Sequence, residues 1–143
     1  MDGKAFGLWL LTLLFWGSAP LFEKIALRGT DPLLALTVRT GLAAVVLFSL
    51  SLVTGKITAV GDLGWREALA LAMSGLVAGV FGMFTYFSLL KTGAASKIVP
   101  LTAAYPLVTA LLAFVVLGET LSFGRLLGIL LTILGLIILQ RNP

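Results

Sequence analysis

Long apolar runs alternate with short polar breaks along this chain, and the alternation predicts five helices. A helix needs about 20 apolar residues to cross a bilayer. Runs of that order lie at residues 5–27, 33–53, 68–90, 94–117 and 121–139. The breaks carry helix punctuation. Asp31 stands as an N-cap before Pro32 at the first helical position of the second run. Thr54-Gly55-Lys56 closes that run, with glycine placed for a left-handed cap. The longest break ends in Asp62-Leu63-Gly64-Trp65-Arg66-Glu67, while Lys91-Thr92-Gly93 and Gly118-Glu119-Thr120 separate the later runs. The first run outlasts the 7–15-residue core of a signal peptide, and Pro20 with more apolar sequence follows Gly17-Ser18-Ala19, so it is read as an uncleaved span. Strand-length alternation is absent, which argues against a barrel. Short links make consecutive helices antiparallel neighbours. The predicted fold is an all-α membrane protein, a single five-transmembrane-helix domain over residues 1–143, with its termini on opposite sides.

Composition points the same way. Apolar residues make up 59% of the 143 and charged ones 11%, where a soluble domain carries about 25% charged. Mean hydropathy is +1.13. So few charges cannot clothe a soluble surface, and lipid is the solvent. The chain has no Cys and no His, which removes disulfides, thiolate zinc sites and thiol catalysis, along with the commonest metal ligand. No metal site is expected. No two glycines stand two apart, so GxGxxG is absent, as is GxxxxGK[ST]. With no nucleophile–base pair either, neither an enzyme nor a cofactor is expected. The net charge of +4 is spread singly between apolar runs, as membrane topology produces. Lipid is therefore an expected partner, and nucleic acid is not.

In lipid the informative residues are polar ones at apolar depth, because each is expensive there. In the first span Trp9, Thr12, Trp16, Ala19 and Glu23 fall at i, i+3, i+7, i+10 and i+14, one helical face, opposite a coat of Leu10, Leu11, Leu14, Leu21, Phe22 and Ile25. Glu23 is the carboxylate inside the predicted spans. It either lines a solute path or pairs near a helix end. Arg39 sits about two turns inside the second span, where a guanidinium costs at least ~2.5 kcal/mol unless it snorkels, pairs or faces water. Pairing with Glu23 and a role in a substrate pathway both remain open for it. Tyr86 in the third span, and Thr102, Tyr105 and Thr109 in the fourth, complete the predicted lining. Pro100 and Pro106 are expected to kink the fourth helix. Gly75, Gly79 and Gly82 form a small-residue face suited to helix packing or dimer contact, as do Gly124, Gly128 and Gly135 in the fifth span.

Trp16-Gly17-Ser18, Lys24-Ile25-Ala26-Leu27, Asp31-Pro32 and Arg39 together resemble the start of an EamA domain of the drug/metabolite transporter superfamily. Gly93-Ala94-Ala95-Ser96, Leu101, Pro106, Leu117-Gly118-Glu119, Gly128 and Gly135 resemble that domain's last two helices. The resemblance covers nearly the whole chain. It implies a secondary transporter of a small organic metabolite or drug-like solute, with most members carrying two such units in tandem where this chain has one. A looser similarity links the region to the small multidrug resistance family, whose first helix holds a glutamate that binds protons and drug cations. Matching Lys24 to that family's lysine puts the carboxylate position near Trp16, so this chemistry does not carry over to Glu23. The alternative class is a non-transporting accessory subunit.

Basic residues flanking the spans are almost balanced between the two sides. Lys4, Lys56, Arg66 and Arg125 lie on one side, and Lys24, Arg28, Lys91, Lys97 and Arg141 on the other. Orientation follows this bias, so a weakly biased five-span unit can insert both ways and pair head to tail. The expected assembly is a homodimer, antiparallel favoured over parallel, moving a small-molecule substrate through a cavity between helices one to four. The expected location is the prokaryotic plasma (inner) membrane.

Overall fold

A computed structural model of the chain describes residues 2–120 and 122–141. Leu121, where the sequence reading starts the fifth span, lies outside the described residues, as do Asn142 and Pro143 of the tail. Five helices are long and apolar enough to cross a membrane: α1 (Gly3–Leu27), α2 (Pro32–Val53), α3 (Trp65–Thr92), α4 (Ala95–Leu117) and α5 (Phe123–Arg141). A short 3-10 helix, Lys56–Asp62, joins α2 to α3. The described residues contain no strand. The all-α, five-span architecture is therefore the one expected.

The helix ends follow local chemistry. Asp2 accepts from the Ala5 amide at 2.7 Å and caps α1. Asp31 accepts from the Leu33 and Leu34 amides at 2.8 and 3.3 Å, with Pro32 opening α2. Gly55 takes φ +69° and terminates α2 as a left-handed cap, which a side chain would resist. The α3 helix begins three residues before its predicted start. Gly64 is its N-cap, and a Cβ there would collide with the carboxylate of Glu67, folded back from the first turn. A carboxylate in that place favours the positive end of the helix.

The chain forms two compact units, Met1–Thr92 and Gly93–Pro143. In the first, the C-terminal ends of α1 and α3 meet the start of α2, and Leu27, Leu36, Phe87 and Leu90 are buried there. Lipid tails are as apolar as leucine, so close van der Waals packing and polar contacts hold this junction more than release of water does. Pro20 lies inside α1 without ending it, releasing the Trp16 carbonyl from its helical partner. Within α3 the residues Gly75–Gly82 wind as a π-helix, a wider turn closed by bonds five residues apart. Neither Gly75 nor Gly79 would bring a Cβ within 4 Å of a neighbour, and at Gly82 a Cβ would meet the Val77 carbonyl of its own helix at 3.1 Å.

In the second unit α4 is interrupted at Ala103 and Ala104, dividing it into Ala95–Thr102 and Tyr105–Leu117. Pro100 is accommodated within the first segment, and the interruption falls just before Pro106, at the second residue of the next. A proline amide cannot donate and its ring crowds the carbonyl four residues back. Gly118 closes α4 at φ +66°. On α5 a Cβ at Gly124, Gly128 or Gly135 would meet nothing within 4 Å.

Candidate functional site

The first unit holds a charged pair beside a groove. Glu23 comes from the last turn and a half of α1 and Arg39 lies about two turns into α2. The short Asp31–Pro32 turn folds these helices side by side, so residues 16 apart in sequence meet. Arg39 Nε lies 3.4 Å from Glu23 Oε1. The Tyr86 hydroxyl of α3 lies near the same carboxylate and interacts with it electrostatically. The Arg39 guanidinium lies over the Phe87 ring, 5.8 Å from its centroid, a cation–π contact that strengthens where water is excluded. Glu23 is 9% exposed and Arg39 48%. Removing ions from water costs several kcal/mol each, and mutual attraction offsets this only with supporting contacts. Tyr86 and Phe87 supply them.

Beside the pair is an open groove of about 580 Å³, lined by Ala19, Phe22, Glu23 and Ala26 of α1, by Thr30, by Leu34, Ala35, Val38 and Arg39 of α2, and by Phe87. That volume falls within the range of small-molecule sites, roughly 300–1,000 Å³. Two lysines tie the end of α3 to α1 and to the turn before α2. Lys24 Nζ donates to the Leu90 carbonyl at 2.7 Å and the Lys91 carbonyl at 3.4 Å. Lys91 Nζ donates to the Thr30 carbonyl at 3.0 Å. The last carbonyls of a helix carry partial negative charge, so Lys24 caps α3 from the neighbouring helix.

The predicted lining divides as follows. Glu23, Arg39 and Tyr86 are brought together. Trp9 packs on Phe6, ring centroids 5.6 Å apart, and Trp16 is exposed. Thr12 donates to the Leu8 carbonyl at 2.9 Å within its own helix. Thr102, half-buried, Tyr105, exposed, and Thr109 belong to the second unit. The Thr102 hydroxyl donates to Val99 at 2.8 Å and that of Thr109 to Tyr105 at 3.3 Å. These threonines spend their proton on their own backbone, as hydroxyls deprived of water do. Each offers a solute only an acceptor. The second unit has its own groove of about 460 Å³, with Arg125, Gly128 and Thr132 of α5 facing Pro106 and Ala110 of α4.

Sequence reasoning missed Phe87 and the two clasping lysines. Nothing in the hydrophobic pattern set Phe87 apart, though its place beside Tyr86 and one turn before Lys91 was available. Lys24 and Lys91 read as ordinary topology charges.

The fold and groove define a polytopic membrane protein with a solute-sized recess around a sunken ion pair. The chain belongs to the EamA-like transporter family, whose pattern matches residues 4–141. It is 31% identical to an uncharacterised protein of Methanocaldococcus jannaschii, covering 92% of each chain. It is 28% identical to an uncharacterised transporter of a Sinorhizobium species, over 91% of this chain and 92% of that one. An uncharacterised transporter of Archaeoglobus fulgidus is 26% identical over 92% of this chain but only 45% of its own length. No solved structure matches the chain.

Proposed function

We propose that the chain is a secondary transporter of a small organic solute, working as a homodimer of five-helix units in a prokaryotic inner membrane. The observation that carries this is the Glu23–Arg39 pair at the wall of an open groove, in a chain of a transporter family. A pair alone would serve an accessory subunit equally well. The recess beside it favours transport, since a purely structural pair would be packed over. The dimer is supported by glycines on α5 where a Cβ would meet nothing within 4 Å among the described residues and by the near balance of flanking basic residues, which favours the antiparallel form.

Uptake or efflux by reconstituted vesicles, screened against pooled metabolites, tests the activity. The absence of native cysteine makes cysteine scanning clean. Trp16→Cys, Tyr105→Cys and Thr109→Cys are expected to react with water-soluble thiol reagents. Unreactive cysteines, together with intact transport after substitution of Glu23 and Arg39, would overturn the assignment. Cross-linking that finds a functional monomer would overturn the dimer, and uniform insertion in one orientation would remove only its antiparallel form.

A further inference from the structure

The two charges of the pair are not equally presented, and the asymmetry selects a substrate class. Resting on the transport reading above, we propose that the groove of the first unit takes a free organic anion with an apolar body, its anionic head held by the outward edge of Arg39. Both residues line the groove, but Glu23 is 9% exposed, whereas Arg39 is 48% exposed. A cationic solute meets an exposed guanidinium beside a nearly buried carboxylate.

The geometry of the contact agrees. Tight charge-assisted bonds run about 2.7–2.9 Å and arginine prefers to grip carboxylates with two parallel bonds. Here the approach to Glu23 is by Nε at 3.4 Å, which leaves the two Nη groups for a second acceptor. Phe87 lies against the guanidinium, and the Tyr86 hydroxyl stays near Glu23, so an arginine turned toward a solute leaves the carboxylate with a polar neighbour. A planar fork of this kind matches a carboxylate or phosphate oxygen pair. The rest of the recess is apolar: Ala19, Phe22, Leu34 and Val38 form its walls. A polyhydroxylated solute would lose its hydrogen bonds to water there and find few in exchange.

The test uses the full chain in phosphatidylcholine nanodiscs and three probes sharing one apolar body: 3-phenylpropionate, 3-phenylpropylamine and 3-phenylpropan-1-ol. Calorimetric titration is expected to show the anion binding at least about tenfold tighter than the other two, the scale of one hydrogen bond to a charged group. Arg39→Gln removes that preference, Arg39→Lys keeps only the part that charge alone supplies, and Glu23→Gln strengthens anion binding because a competing carboxylate is gone. The double variant E23Q/R39Q strands no charge and is expected to lose the preference as well, which guards against a misfolded single variant. Equal binding of all three probes, a preference for the amine, no binding of any probe, or a preference surviving in the double variant would each overturn the proposal. So would loss of 3-phenylpropionate binding in nanodiscs half phosphatidylglycerol, which would make the natural occupant a lipid headgroup. A vesicle screen separates the two readings. Transport confined to amines or neutral solutes overturns the anion site but keeps the transporter. Selective anion binding with no solute moved supports the anion site and defeats the transporter.

Discussion

Two glutamate–arginine pairs among the described residues sit in opposite surroundings. Glu23 and Arg39 meet at 3.4 Å between two membrane-spanning helices, with the carboxylate nearly buried. Glu119 and Arg125 meet at 3.9 Å beside the link between α4 and α5, 53% and 63% exposed, where Arg125 also donates to the Thr120 carbonyl at 3.4 Å. The residue types are identical and the lengths similar. What differs is the alternative open to each ion when its partner goes. An exposed charge returns to water, and a screened pair of that kind contributes about 0–1 kcal/mol. A charge sunk between helices has nowhere to go. A pair is therefore informative about function in proportion to what its loss strands, rather than to how close its atoms lie.

The sharpest way to break this contrast is Arg39→Ala. It should lower stability by about 2–3 kcal/mol, below the full range for a buried pair because Arg39 is half exposed. Reversible unfolding in mixed micelles measures it, and E23Q/R39Q should recover most of the loss. No loss from Arg39→Ala would mean that Glu23 reaches water and that the two pairs are equivalent. Next in size is Lys24→Ala, which withdraws the donor from the Leu90 and Lys91 carbonyls. About 1–2 kcal/mol and faster amide exchange in the last turn of α3 are expected. This sharpens the contrast by showing whether the first unit's charges are valuable in general or only as a pair. Gly118→Ala, at φ +66° just before Glu119, should cost about 1 kcal/mol, so that backbone shape outweighs the ion pair in that link. Smallest is Glu119→Gln or Arg125→Gln, each within about 0.5 kcal/mol and smaller still at high salt.

Much of this arrangement was readable in the residues. Apolar length alone located the spans, because only a helix satisfies its own backbone in lipid. Asp31-Pro32 and Gly55 punctuated α2 as their side chains dictate. Glu23 and Arg39 stood out because each is costly at apolar depth. Other features left no such trace. Every residue from Gly75 to Gly82 is apolar or glycine, so no polar stripe distinguishes a wide turn from an ordinary one. Lys24 and Lys91 act on backbone carbonyls, which have no letter in a sequence. Phe87 is set apart from Phe81 and Phe84 only by what α1 and α2 bring against it. The hydroxyl stripes of Thr12, Thr102 and Thr109 were regular in spacing, but spacing cannot say where a proton is donated.

Phase along α3 is set by its wide segment. Each π turn takes in about one residue more than an α turn, and one residue is about 100° of rotation at ~3.6 residues per turn. Tyr86 and Phe87 reach Glu23 and Arg39 because Gly75–Gly82 precedes them in that winding. In genetic terms the stretch is sensitive to length more than to letters. A codon lost between 75 and 82 can be absorbed by the wide turn tightening to an ordinary one, which keeps the phase downstream. A codon gained there has no such slack and would swing both aromatic rings off the ion pair. A leucine exchanged for valine in the same stretch would leave them where they are.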